Sequence, residues 1–132
     1  MYENLIATAL SAREQSYSPY SGFKVGAALL GRSGNIFPGA NVENSSYGLT
    51  ICAERAAAVS AIAAGVRDFV AVAIVTDTDE PTVPCGGCRQ FLAEFNPQLQ
   101  VILRTTSGKE RRLLLSELFP EPFTGGVVPR RT

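Results

Sequence analysis

The 132-residue chain contains no histidine. That absence excludes Ser/His/Asp and Cys/His nucleophile systems, imidazole ligation of a metal, and an imidazole proton shuttle near neutrality. Catalysis at neutral pH would fall first to Asp or Glu as the proton carrier. Net charge is also missing, because twelve Lys and Arg balance twelve Asp and Glu. The long-range field with which nucleic-acid binders find a phosphate backbone is therefore absent, and a small uncharged substrate fits better than a polymer. The longest apolar run, residues 69–75, is far shorter than the ~20 residues of a membrane helix. The start, Met1-Tyr2-Glu3-Asn4-Leu5-Ile6, has neither a basic beginning nor an apolar stretch before a cleavage site, so no secretory signal is expected and a cytoplasmic location is. Three cysteines cannot all pair within one chain, and reduced thiols in a reducing compartment are the simpler expectation.

With 45% hydrophobic and 18% charged residues, residues 1–132 are expected to form one domain that buries roughly two-thirds of its unfolded surface. Leu5, Ile6, Ala9, Leu10 and Arg13 lie on one helical stripe, which Tyr17-Ser18-Pro19-Tyr20-Ser21-Gly22 interrupts. Residues 23–30 and 36–42 read as a β-hairpin about Gly31-Arg32-Ser33-Gly34-Asn35, with Pro38 marking an edge strand or a bulge. Residues 52–64 read as a buried helix stopped by Gly65, and residues 69–75 as a central strand apolar on both faces. A polar loop over 76–84 leads to a second helix over 85–95, ended by Asn96-Pro97. Strands over 101–104 and 111–115 are joined too closely for a parallel crossover and should pair antiparallel. Ser116 reads as the cap of a last helical turn, and Arg130 and Arg131 as a disordered end. The expected architecture is a three-layer α/β/α sandwich around a mixed five-stranded sheet.

The chemistry sits on the cysteines. Cys52-Ala53-Glu54-Arg55 and Pro84-Cys85-Gly86-Gly87-Cys88-Arg89 place all three at helix amino ends, where partial positive charge and free N–H groups favour thiolates. Three soft ligands without a fourth Cys or His describe a Zn²⁺ site with an open position, and Glu54 beside it can take and return a proton. Three thiolates leave the metal site near −1, which opposes activation of a bound water. Arg55 and Arg89 stand next to ligands, and a guanidinium on a thiolate sulfur would withdraw that charge. Competing readings are three inert buried thiols, a Cys85/Cys88 redox pair, and a non-catalytic zinc-stabilised interaction domain. A thioredoxin-like start is lacking, and structural zinc sites close with a fourth protein ligand.

These motifs, with Tyr17-Ser18-Pro19-Tyr20-Ser21-Gly22-Phe23-Lys24-Val25-Gly26-Ala27-Ala28, Gly39-Ala40-Asn41-Val42-Glu43-Asn44 and Leu118-Phe119-Pro120, resemble the small homotetrameric zinc-dependent cytidine deaminases over nearly the whole chain. The resemblance implies hydrolysis of cytidine and 2′-deoxycytidine to uridine and 2′-deoxyuridine with release of ammonia, one zinc per chain on Cys52, Cys85 and Cys88, and attack by a zinc-bound hydroxide with Glu54 as proton shuttle. It also implies that Asn41 and Glu43, on the same side of an extended segment, hold the sugar 3′-hydroxyl. Phe23 would pack near the nucleoside, and the Ala53 N–H would bind the pyrimidine carbonyl. Tyr47 would lie at a contact between subunits, and Phe123 would cover the base in a neighbouring subunit. The relatives' usual Leu-Pro-x-x-Phe stands here as Phe119-Pro120-Glu121-Pro122-Phe123, with an additional proline. A deaminase of a modified cytosine nucleoside such as blasticidin S would share the zinc site, but the Asn41/Glu43 pair argues for ribose. No nucleic-acid or membrane partner is expected.

Overall fold

The computed structural model describes residues 2–125, so Arg130 and Arg131 lie outside the described residues. Helix α1 (Glu3–Arg13) precedes the hairpin β1 (Val25–Gly31) and β2 (Ile36–Ala40), and a short 3₁₀ turn (Tyr47–Leu49) leads into α2 (Ala53–Ala63). There follow β3 (Phe69–Thr76), α3 (Gly86–Ala93), β4 (Gln100–Thr105), β5 (Glu110–Leu114) and a single turn, α4 (Leu115–Leu118). The strands form one sheet in the order β2-β1-β3-β4-β5. Only β3 and β4 run parallel, and α3 lies in the crossover between them; the other three pairings are antiparallel. Pro38 is in edge strand β2, the place where a missing ladder donor is tolerated.

Side chains alternate across the sheet, and the alternation divides the core. Ala27, Leu29, Val72, Ile74, Val101 and Leu103 face α2 and α3, whereas Ala28, Ala71, Ala73, Val75 and Ile102 face α1. Strand β3 is thus buried on both faces, as its unbroken apolar run predicts. Helices cover both sides, which gives the expected three layers. Among the described residues, no helix is long and apolar enough to cross a membrane.

Two local expectations are corrected. Leu10 is 45% exposed, and Ala12 takes its place with Leu5, Ile6 and Ala9, because the stripe that meets the sheet follows 5, 9 and 12. Ser116 is not a cap: α4 begins at Leu115, Leu114 is the N-cap residue, and the Leu114 N–H donates to the Glu117 carboxylate at 2.8 Å. The fully buried Leu115 donates its N–H to the Leu99 carbonyl at 2.8 Å, which makes the chain turn there and leaves the Ser116 hydroxyl to Gln98 at 3.0 Å.

Two glycines set how closely the layers approach. A Cβ at Gly26 would lie 2.0 Å from the Ala9 carbonyl oxygen of α1. One at Gly39 would lie 2.4 Å from both the Ala53 carbonyl oxygen and the Ala57 nitrogen of α2. Neither glycine needs a left-handed backbone; each is needed for clearance. Gly39 therefore sets the height of α2 above β2, and α2 carries Cys52 and Glu54 at its start. Gly39→Ala should cost about 1–3 kcal/mol of stability in urea unfolding and lower zinc retention. Gly48→Ala, where a Cβ meets nothing within 4 Å, should change stability by less than about 0.5 kcal/mol.

Candidate metal centre and active site

Cys52 is the N-cap residue of α2, and Cys85 that of α3, where its sulfur accepts the Cys88 N–H at 3.4 Å. Cys52 is delivered by a paired segment: Val42 and Ile51 exchange two backbone hydrogen bonds at 2.9 Å, folding residues 41–52 back to the start of α2. Cys85 follows the loop that leaves β3, and the hydroxyls of Thr76, Thr78 and Thr82 tie that loop together at 2.9–3.3 Å. The two helix starts meet. The sulfur of Cys85 lies 3.8 Å from that of Cys52 and 3.4 Å from that of Cys88, and all three sulfurs lie within 4.8 Å of one another. A tetrahedral zinc with Zn–S bonds of about 2.3 Å separates its sulfurs by about 3.8 Å, so the donor set fits zinc.

Glu54 follows one residue into α2 and is only 5% exposed. Burial holds its carboxyl above the ordinary range, and the Cys52 thiolate adds to the effect. The thiols divide. Cys52 is lowered to about 5, chiefly by a hydrogen bond from Cys88 and further by Arg55. Cys88 is pushed up by donating to Cys52, by burial and by the Glu54 charge. Loading a metal therefore has to displace a proton from Cys88.

Arg55 reaches the Cys52 sulfur with Nη2 at 3.6 Å and the Thr50 carbonyl at 3.5 Å. Its Nε is the one buried side-chain nitrogen or oxygen without a partner among the described residues. Arg89, also next to a ligand in sequence, has other partners. Its Nε donates to the Pro84 carbonyl at 2.8 Å and its Nη1 to the Leu118 carbonyl at 3.1 Å, so it braces backbone instead of a sulfur. The side chains of α3 turn its neighbours in different directions, and Cys88 alone of this pair points to the cluster.

A cavity of about 320 Å³ opens over the cluster, and Phe23, Asn41, Glu43 and Ala53 line it beside Cys52, Glu54 and Cys85. Among the described residues, its lining includes the carboxylates of Glu43 and Glu54 and no Lys or Arg. Asn41 and Glu43 are already heavily engaged. Asn41 Oδ1 accepts from the Val25 N–H at 2.9 Å and from the Ser16 hydroxyl, while its Nδ2 donates to the Phe23 carbonyl at 2.7 Å. Glu43 accepts from the N–H groups of Tyr20 and Ser21 at 2.9 and 3.1 Å and from the Ser21 hydroxyl. An amide offers two donors and a carboxylate about four acceptor positions, so about one of each is left over. A hydroxyl group, both donor and acceptor, matches that remainder.

Tyr47 and Phe123 are not in this lining. Tyr47 is 75% exposed and meets Tyr20 edge-on at 5.8 Å in an adjoining depression. Phe123 is 63% exposed, with its backbone held by the Gln90 amide. Ser16, Ser21, the threonine cluster and Gln90 were not singled out from the sequence, where isolated hydroxyls and amides carry no periodic signal. A larger open groove of about 660 Å³ between α1 and β2 is lined by no ionisable side chain among the described residues.

Known proteins align with this arrangement. A sequence model described as the cytidine and deoxycytidylate deaminase zinc-binding region matches residues 1–104. A cytidine deaminase of Halalkalibacterium halodurans is 51% identical over 121 residues, covering 91% of this chain and 92% of that protein. One of Sporosarcina psychrophila is 49% identical over 123 residues, covering 92% and 90%. The crystal structure of cytidine deaminase from Burkholderia pseudomallei superposes with a TM-score of 0.90 at 48% identity, over 93% of this chain and 99% of that one. With the three-sulfur cluster and the α/β/α sandwich, these matches show that the chain belongs to the zinc-binding cytidine and deoxycytidylate deaminase family.

Proposed function

We propose that this enzyme hydrolyses cytidine and 2′-deoxycytidine to uridine and 2′-deoxyuridine, releasing ammonia. The observation that carries the reading is Glu54: a buried carboxyl with a raised proton affinity, beside a three-sulfur zinc site, facing a cavity lined by no Lys or Arg among the described residues. Zinc, when held by Cys52, Cys85 and Cys88, supplies Lewis acidity that lowers the pKa of water. Glu54 takes one proton from the attacking water and passes it to N3 of the pyrimidine, then takes the proton of the hydroxyl now on C4 and passes it to the amino group, which leaves as ammonia as the C4 carbonyl forms. Burial suits it to both halves of that task, because a carboxyl with a raised pKa holds a proton readily near neutrality.

Substrate placement follows from the remaining donors. Ala53 is the first residue of α2, so its N–H has no intrahelical partner and is available to the pyrimidine carbonyl. The spare donor of Asn41 and acceptor of Glu43 receive the sugar 3′-hydroxyl, while Phe23 packs against the nucleoside. A phosphate would meet two carboxylates and, among the described residues, no Lys or Arg in the lining, which favours a nucleoside over a nucleotide or polynucleotide. Phe123 stands outside its own cavity and is assigned to that of a neighbouring copy. Tyr17, Tyr20, Val42, Tyr47, Leu49 and Ile51 are exposed apolar side chains on the segments flanking the site, and a homotetramer would cover them between copies. We further assign the activity to one domain spanning the chain, working in the reducing cytoplasm where its thiols stay available to zinc.

Mixing the zinc-loaded protein with cytidine should remove the cytidine absorbance band and release one ammonia per nucleoside; full zinc occupancy with no turnover of either nucleoside would overturn the reading. Glu54→Gln should bind zinc at one per chain yet lose turnover by about three orders of magnitude or more, the scale of a lost general acid–base.

Arg55→Ala leaves the Cys52 thiolate without its guanidinium, so the variant should give up zinc to a competing chelator about 10–100-fold more readily, read by metal analysis after dialysis.

Glu43 is held below the ordinary carboxylate range, chiefly by the Ser21 hydroxyl. Its tether on the loop of Tyr20 and Ser21 is therefore complete above the unperturbed pKa and is lost only as pH falls through the lowered value. The KM for cytidine should stay level from neutrality down through the ordinary carboxylate range and climb only below it. Glu43→Gln should raise KM at neutral pH and remove that acid-side climb.

A further inference from the structure

We propose that Gln90 is a positioning residue, which holds the Phe123 ring in the attitude from which it covers a nucleoside bound in a second copy of the chain. The inference rests on the role given above to Phe123 and names what fixes it.

The first turns of α3 present three consecutive side chains to different tasks. Cys88 is fully buried in the sulfur cluster. Arg89 bridges the Pro84 carbonyl, one residue before Cys85, to the Leu118 carbonyl at the end of α4. Gln90 closes a reciprocal pair with the backbone of one residue: Nε2 donates to the Phe123 carbonyl at 2.9 Å, and the Phe123 N–H donates to Oε1 at 3.0 Å. A primary amide engaged in both directions reproduces the pairing of a strand neighbour, and it fixes orientation as well as position.

Between the two anchors the chain reads Phe119-Pro120-Glu121-Pro122-Phe123. Each proline locks its own φ and biases the residue before it toward extended backbone. The segment behaves as a short stiff strut, tied by Arg89 at one end and by Gln90 at the other. The additional proline at 122 thus shortens the freedom of the ring instead of diverting it. The ring itself remains 63% exposed and outside the cavity of its own chain. A backbone clamped on both sides while its aromatic side chain faces outward is arranged for a contact beyond the chain, because the ordering cost is met before that contact forms.

Since the chain contains no tryptophan, Phe123→Trp introduces a single tryptophan at the position in question, excited selectively at wavelengths the four tyrosines do not absorb. Steady-state anisotropy of this variant should be high, and adding Gln90→Ala should lower it toward that of a free side chain while zinc content and circular dichroism stay unchanged. For the natural ring, Gln90→Ala and Phe123→Ala should each raise the KM for cytidine about five- to tenfold, the size of one lost ring contact, with kcat changed less than about twofold. The double variant should be no worse than Phe123→Ala alone, as expected of two residues that act through one group. Gln90→Glu keeps the acceptor and loses the donor, so it should fall between; it also serves if the alanine variant folds poorly. A normal KM in Gln90→Ala beside a raised one in Phe123→Ala would overturn the positioning role and leave that of Phe123 intact. A normal KM in Phe123→Ala would overturn both, while turnover by the unaltered enzyme, measured alongside, keeps the deaminase reading separate.

Discussion

Everything in the site depends on gathering negative charge at the wall of a cavity. Cys88 and Glu54 are buried there, while Cys52 is half-buried and Cys85 exposed, and an isolated charge on either buried group would be costly. Three features offset the cost. Two helix amino ends converge on the sulfurs, Arg55 lies against Cys52, and a divalent metal matches the sulfur spacing. The same burial gives Glu54 its raised proton affinity. Stability and reactivity therefore draw on one arrangement.

The sheet makes the convergence possible. Cys85 begins α3 after the loop leaving the carboxyl end of β3, in the one parallel crossover of the fold, where open α/β sheets collect ligands. Cys52 begins α2 on the same face, because α2 and α3 share the larger of the two cores. The vertical fit comes from small residues. Gly39 lets α2 rest on β2, and Gly26 lets α1 rest on β1, so both helices sit closer than any side chain would permit.

Around the cavity, the groups assigned to substrate also hold the cavity together. Asn41 pins the start of β1 and Glu43 pins the turn at Tyr20 and Ser21, each with about one hydrogen-bonding position in reserve. Preorganisation of this kind lowers the entropy lost on binding, since the donors are already aimed. Helix α3 repeats the pattern at the other side: one short segment supplies a metal ligand, a brace for the metal loop and a clamp for the tail.

Much of this was legible in the amino-acid order. The β2 edge marked by Pro38, the doubly buried β3, the helix at Glu54 and the three-layer class all follow from periodicity and from the special geometry of proline, which are local properties. The three cysteines, with histidine absent, left few metal chemistries open, because ligand identity is a property of single side chains. Local pattern misjudged Leu10 and Ser116, whose places are set by contacts with the sheet and by the Leu115–Leu99 hydrogen bond. It also left the role of Arg89 open, because only the turn of α3 aims that guanidinium at two carbonyls. What only the tertiary structure decided is distance across the chain: sulfurs 33 residues apart brought to 3.8 Å, and the Gln90 clamp on Phe123, also 33 residues away. Sequence encodes which groups exist and which face they share, whereas their meeting depends on how closely separate layers pack, and that is fixed only when the whole core closes.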